Sequence, residues 1–199
     1  MDSSSRGVGA NLSRPKVFPS MQIPAVAEPS LFESAKVPAD LELEEVCVDM
    51  AELKVDNKPT ELVSCVGSCV AICIFDASAK CGGMAHVMLP QASICPKENL
   101  PAKFADTAVP ALIKAMKTLS NGCVLSAKIA GGANMFPNIK NQSLAIGARN
   151  IEAVKAALSA NRIPLRGEDV GGMQGRKVLF NVITGGVSVR RLYGDVKQI

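Results

Sequence analysis

The sequence predicts a mixed α/β domain in which strand hairpins are flanked by helices, and three observations support this fold class. Short runs rich in apolar and β-branched residues recur between residues 46 and 192, as is typical of strands. Two longer segments, residues 104–119 and 151–160, carry apolar residues at helical spacing. Apolar residues make up 48% of the 199-residue chain, which is enough for one substantial core.

The first half of the domain is predicted to be mainly β. Residues 46–48 and 61–66 are short strands, and residues 69–75 form a continuous apolar run, CVAICIF, of the kind that is buried on both faces of a sheet. Residues 76–79 supply turn-forming side chains, and residues 80–89 return as a second apolar strand. These last two strands are expected to pair as a hairpin.

The second half is predicted to alternate helices with strands. Residues 104–119 form a helix that ends at Asn121-Gly122, and Pro110 is tolerated only in its early turns. Asn150 is predicted to cap a second helix over residues 151–160. Further segments have the composition of strands: residues 123–130, 165–170, 178–183 and 187–192.

Residues 1–41 differ in composition from the rest of the chain. They contain five of the twelve prolines and a serine run, and such a segment buries too little apolar surface to offset the entropy of ordering it. We expect a flexible extension over residues 1–41 and a folded domain over residues 42–199. The sequence has neither a secretion-signal pattern nor an apolar run of about 18 residues, so we expect a cytoplasmic protein without membrane insertion.

The charge and the cysteines narrow the function classes. Twenty-two basic and eighteen acidic residues give a net charge of +4, and the chain lacks the clustered basic and aromatic residues of a nucleic-acid surface. The seven cysteines are an odd number without the spacing of a disulfide scaffold, which favours reduced thiols. Cys65, Cys69, Cys73 and Cys81 match no common zinc motif, so no metal and no cofactor is predicted.

The predicted hairpin places one cysteine beside the only histidine. If the turn comprises residues 76–79, Phe75 faces Lys80 and Cys69 lies opposite His86. Directly opposed side chains have Cβ atoms about 4.5–5.5 Å apart, which is close enough for a thiol and an imidazole to form a hydrogen bond. A register slip of one residue would put the two groups on opposite faces.

A cysteine–histidine pair suits nucleophilic catalysis. A free thiol has a pKa of about 8.5, and a neighbouring imidazolium can lower it enough to hold a thiolate at neutral pH. Backbone N–H groups near Ser68 and Cys69 are candidates to bind an oxyanion, and the loop with Gly131 and Gly132 is a candidate lining of the site. The alternative is that these cysteines are small core residues and that the histidine is structural.

Several blocks of sequence resemble one known family. The longest, residues 67–90, is GSCVAICIFDASAKCGGMAHVMLP. The others are KFADTAVPALI at 103–113, KIAGGANMF at 128–136, IGARNIEAV at 146–154 and EDVGG at 168–172. In content and order they resemble the CheD family, the chemoreceptor glutamine deamidases of bacterial and archaeal chemotaxis. The resemblance extends from about residue 43 to the end of the chain.

The resemblance implies a three-layer α/β sandwich related to deamidating bacterial toxins, with Cys69 as the nucleophile and His86 as its partner. The family's third catalytic residue is typically a threonine shortly upstream of the cysteine. This chain has Val63 at the matching place and Ser64 beside it, so either the Ser64 hydroxyl or the Val63 carbonyl would orient the imidazole. We favour the carbonyl, because an acceptor is sufficient to hold a ring N–H.

The resemblance also implies an activity and partners. The protein would hydrolyse glutamine side chains of chemotaxis receptors to glutamate, with release of ammonia, through a thioester on Cys69. It would also bind CheC, the phosphatase of phosphorylated CheY. Two alternatives stay open: an adaptor that binds CheC and receptors with little catalysis of its own, and a cysteine amidase that acts on small molecules. The presence of both Cys69 and His86 favours the receptor deamidase.

Overall fold

The structure, a computed structural model, describes residues 43–120, 124–135, 146–191, 194 and 196–199. Ten strands lie within these residues: β1 (Glu44–Cys47), β2 (Leu53–Asp56), β3 (Thr60–Val66), β4 (Val70–Asp76), β5 (Cys81–Val87), β6 (Leu125–Gly131), β7 (Leu165–Val170), β8 (Arg176–Asn181), β9 (Val187–Arg191) and β10 (Val196–Gln198). The two α-helices of the same residues are α1 (Ala105–Met116) and α2 (Ile146–Ala160). The flexible extension expected over residues 1–41 and the helix end expected at Asn121-Gly122 lie outside the described residues.

The strands form two sheets, which we call the central sheet and the outer sheet. The central sheet has the order β2-β5-β4-β6-β7, and the outer sheet has the order β1-β3-β8-β9-β10. The two helices pack on one face of the central sheet, and the outer sheet packs on its other face. The layers are therefore outer sheet, central sheet and helices, which confirms the expected three-layer α/β sandwich.

Strand β4 lies in the middle of the central sheet, and all of its residues are buried. Its even-numbered residues from Val70 to Ile74 pack against the helices. Its odd-numbered residues from Ala71 to Phe75 pack against the outer sheet. Successive side chains of a strand point to opposite faces, so a strand covered on both sides needs the unbroken apolar run that the sequence contains. Burying one large side chain of this run contributes roughly 1.5–3 kcal/mol.

Both helices differ from their predicted extents. Helix α1 ends at Met116 rather than at residue 119, and Pro110 is its sixth residue on an exposed turn. That position lies in the second turn, and because proline has no N–H the helix lacks one backbone hydrogen bond there. Helix α2 begins at Ile146. Asn150 is consequently a buried residue inside the helix, and its prediction as an N-cap is wrong.

Long-range pairing creates the parts of the fold that local sequence does not indicate. Strand β2 was not among the predicted strands, and it pairs with β5 along its whole length. Strands β6 and β7 run parallel, and α2 forms the crossover between them, as parallel neighbours require. No helix among the described residues is long and apolar enough to span a bilayer.

Candidate active site

A short loop between β3 and β4, residues 67–69, carries Cys69. All three of its carbonyl groups accept a hydrogen bond from outside the loop. The Gly67 carbonyl accepts from the Ala133 N–H at 2.7 Å, and the Cys69 carbonyl accepts from the Gly132 N–H at 2.7 Å. The Ser68 carbonyl accepts from the Asn150 side-chain amide at 3.0 Å. The backbone that positions the thiol is therefore held on every residue.

His86 lies near the end of β5, on the side of the central sheet that faces the outer sheet. Its Nδ1 lies 2.8 Å from the Ser64 hydroxyl, which in turn donates to the Val48 carbonyl at 2.8 Å. A serine hydroxyl has one proton. Because that proton goes to Val48, Ser64 accepts from Nδ1–H, and the neutral ring carries its proton on Nδ1. The Nε2 lone pair is left available as a base.

The ring contact that we expected from the Val63 carbonyl comes from Ser64 instead. The Val63 carbonyl accepts the Val48 N–H at 2.8 Å. The side chain of Val63 is buried on the face of β3 opposite Ser64, because neighbouring residues of a strand point to opposite sides. The preference for the Val63 carbonyl was therefore wrong, and the alternative that placed the Ser64 hydroxyl at the imidazole matches the geometry.

The register of the β4–β5 hairpin differs by two residues from the predicted one. Asp76 pairs with Cys81, and His86 lies opposite Ala71 rather than opposite Cys69. The reason is that the Asp76 carboxylate accepts hydrogen bonds from Ser78 and from the Ala79 N–H. It thus ends the strand and fixes the turn over residues 77–80.

A shift of two residues keeps both groups on the same face, because side chains alternate with a period of two. Cys69 precedes β4 by one residue and packs against the apolar cluster between the sheets, on the side to which His86 also belongs. It occupies a position diagonal to His86, where Cα atoms are typically about 7–8 Å apart. His86 Nε2 is buried and has no hydrogen-bond partner among the described residues. The dyad is thus arranged on one face, and its sulfur–nitrogen hydrogen bond is not formed.

Burial sets the protonation states of the pair. It raises the pKa of the Cys69 thiol above its ordinary value. It also lowers the pKa of His86, and this effect outweighs the Val48 carbonyl and the Asp49 carboxylate, which favour the charged ring. The free protein therefore holds a neutral thiol and a neutral imidazole near pH 7, rather than the thiolate and imidazolium that the sequence suggested.

The two glycines proposed to line the site contact the backbone of Cys69. The Gly132 N–H donates to the Cys69 carbonyl, so this N–H holds the Cys69 loop. A Cβ atom on Gly131 would lie 2.2 Å from that same carbonyl oxygen. Gly131 needs to be glycine because the chain passes so close to the Cys69 carbonyl, whereas a Cβ atom on Gly132 would meet the Ile151 side chain of α2 at 2.4 Å. The N–H groups of Ser68 and Cys69 donate no hydrogen bond to any other described residue.

A groove of about 700 Å³ borders the loop at Gly67. The side chains of Met135 and Met173 are exposed in it, and its basic wall is formed by Lys177, Arg190 and Arg191. This lining combines apolar and positively charged surface next to the residue that begins the Cys69 loop.

The described part of the chain is thus a three-layer α/β domain with Cys69 and a histidine that is hydrogen-bonded through Nδ1 on one face of its central sheet. Residues 88–191 match the family described as CheD chemotactic sensory transduction. Two relatives carry the name "Probable chemoreceptor glutamine deamidase CheD". The protein of Clostridium acetobutylicum is 39% identical over 160 residues, which are 79% of this chain and 96% of the relative. That of Clostridium kluyveri is 40% identical over 163 residues, which are 80% of this chain and the whole of the relative. The chain belongs to the CheD family.

Proposed function

We propose that this protein is a protein-glutamine deamidase that converts glutamine side chains of chemotaxis receptors to glutamate. The observation that carries the proposal is the 2.8 Å contact between the Ser64 hydroxyl and His86 Nδ1. Because the Ser64 hydroxyl donates its own proton to the Val48 carbonyl, it accepts from Nδ1–H, and the buried Nε2, without a partner among the described residues, is a base on the same side of the sheet as Cys69. The names of the relatives supply the substrate class.

The reaction begins from the neutral pair. When the carboxamide of a receptor glutamine enters, the Cys69 sulfur attacks its carbon while His86 Nε2 takes the thiol proton. The tetrahedral adduct collapses as the imidazolium donates that proton to the departing nitrogen, which leaves as ammonia. A thioester between Cys69 and the glutamyl group remains.

Water completes the cycle. Nε2 removes a proton from a water molecule that attacks the thioester carbon, and the carbon–sulfur bond breaks to give glutamate. The thiolate then recovers its proton from the imidazolium. The N–H groups of Ser68 and Cys69 are the proposed donors to the oxyanion in both steps, because neither is used by another described residue. Ser64 accepts a hydrogen bond from Nδ1–H of both the neutral imidazole and the imidazolium, so it holds the ring in both steps.

A receptor fragment and mass spectrometry test this proposal. The wild-type protein is expected to convert specific glutamines to glutamate, whereas Cys69→Ala and His86→Gln are expected to lose ammonia release. Cys95→Ala is the matched control, because Cys95 is a free, half-buried thiol like Cys69 and does not line the groove at Gly67. A Cys69→Ala protein that still converts the receptor would refute the assignment. Turnover of free glutamine would instead indicate a small-molecule amidase.

A second candidate function is that of an adaptor for CheC. Two observations favour keeping it: the Cys69–His86 hydrogen bond is absent from the described structure, and the groove at Gly67 offers apolar and basic surface to a partner. If the protein acts as an adaptor, Cys69→Ala would still bind CheC and stimulate the dephosphorylation of CheY. We place either function in the cytoplasm, because the six described cysteines are free thiols and such thiols persist there.

A further inference from the structure

Asn150 is a fully buried polar side chain in the second turn of α2. Its Nδ2 donates to two carbonyl groups, that of Ser68 at 3.0 Å and that of Met88 at 2.9 Å. Ser68 precedes Cys69, and Met88 follows His86 by two residues. One amide group from a helix therefore joins the loop that carries the thiol to the end of the strand that carries the imidazole.

The position of this amide explains its importance. The β4–β5 ladder ends at the pair Val70 and Val87, and Cys69 lies beyond that pair. The Met88 N–H is directed away from the loop, since it donates to the Lys103 carbonyl at 2.9 Å. Asn150 therefore links the segment before β4 to the segment after β5, just beyond the last pair of the ladder.

The chemistry of the bridge requires an amide in particular. Both N–H bonds of Nδ2 are used by carbonyl acceptors, and a carboxylate has no donor to offer them. The other polar atom of the side chain, Oδ1, is buried without a partner among the described residues. Leaving a buried acceptor unpaired is unfavourable, so the two bonds that Nδ2 donates are the favourable contribution of this side chain at its buried position.

We propose that Asn150 is a positioning residue that fixes the separation between Cys69 and His86. This inference rests on the proposed deamidase function, because it concerns the geometry in which the thiol proton passes to Nε2. A misplacement of about 1 Å in a reacting pair can cost roughly 100-fold in rate. The clamp acts through the backbone of both catalytic segments and does not contact the substrate.

Asn150→Asp tests the clamp at nearly constant volume. We expect kcat for deamidation of a receptor fragment to fall by about 100-fold, while KM changes by less than about threefold, because substrate binding is not altered. Asn161→Asp is the matched control, since it makes the same change after the end of α2, where the amide donates to the Ala157 carbonyl of that helix. A folded Asn150→Asp protein whose kcat stays within about threefold of the wild type would overturn the proposal.

Two further measurements keep the test decisive if that variant does not fold or if no deamidation is observed. In the wild-type protein, the Nδ2 protons of Asn150 are expected to exchange slowly with solvent by NMR, because both are in buried hydrogen bonds. Exchange as fast as that of a surface amide would overturn the clamp. Asn150→Ala, which adds no charge, is expected to speed alkylation of Cys69 by iodoacetamide by at least about threefold as the loop is released. An unchanged alkylation rate would also contradict the clamp, and this readout does not depend on deamidase activity.

Discussion

Replacement of Ser64 by alanine isolates the hydrogen bond that sets the tautomer of His86. The hydroxyl makes two buried hydrogen bonds, one to Nδ1 and one to the Val48 carbonyl, each at 2.8 Å. A buried hydrogen bond of this kind contributes about 0.5–1.5 kcal/mol, so losing both should lower the free energy of unfolding by roughly 1–3 kcal/mol. Urea unfolding of the purified variant measures this change.

The catalytic effect of Ser64→Ala follows from the same bond. Without an acceptor at Nδ1, the ring loses about 1 kcal/mol of preference for its productive tautomer and orientation, and about 1.4 kcal/mol corresponds to a tenfold change in rate. We therefore expect kcat for ammonia release to fall by about fivefold. That loss is smaller than the 10²- to 10⁴-fold loss, roughly, that is expected when His86→Gln removes the base itself.

A matched variant and a clear contrary outcome complete this test. Ser126→Ala also removes a buried hydroxyl, but it lies opposite Phe75 at the other end of β4. Its kcat should equal that of the wild type. If Ser64→Ala folds and retains full kcat, the hydroxyl does not orient the imidazole and the reasoning about the tautomer is refuted.

Three further predictions concern the site and its support. The pH profile of kcat/KM should have its acid limb below about 6.5, because burial lowers the pKa of His86 and the neutral ring is the base. The rate of alkylation of Cys69 should have its midpoint above about pH 8.5, because burial raises the pKa of the thiol. An alkylation rate that is already at its thiolate plateau at pH 6 would contradict both expectations. Gly131→Ala should abolish most activity, because its Cβ would meet the Cys69 carbonyl at 2.2 Å, whereas Gly171→Ala, also at positive φ but with open space around it, should retain activity in the same ammonia assay. Asp169→Asn should lower the free energy of unfolding in urea by roughly 3–5 kcal/mol, because it leaves a buried arginine without its carboxylate; a change below about 1 kcal/mol, typical of a surface pair, would contradict this.

The sequence predicts the two strands that carry the site well, because each is a single apolar run. The run CVAICIF gives β4, and the apolar run after it gives β5, so the hairpin and the shared face of Cys69 and His86 follow. The register does not follow, because it depends on the Asp76 side chain closing the turn. That choice is made by a few hydrogen bonds and leaves no periodic signal in the sequence.

The other differences arise from contacts between distant parts of the chain. Strands β2 and β10 are short, and each owes its conformation to its neighbour in a sheet. Ser64 meets His86 only because the outer sheet packs on the central one, and Asn150 reaches Ser68 only because α2 crosses the ends of β4 and β5. Local sequence predicted that Asn150 caps a helix, but the residue is buried inside α2 by contacts with distant parts of the chain. The block IGARNIEAV contained the residue but not its partner.

The central claim is that a glutamyl thioester forms on Cys69, and trapping that species tests it most directly. Hydroxylamine added to the reaction with a receptor fragment should compete with water for the thioester, so that mass spectrometry finds glutamyl hydroxamate beside glutamate at the same positions. Cys69→Ala should give neither product. If glutamate forms at the wild-type rate while the hydroxamate is absent, or if Cys69→Ala still yields glutamate, nucleophilic catalysis by Cys69 is contradicted.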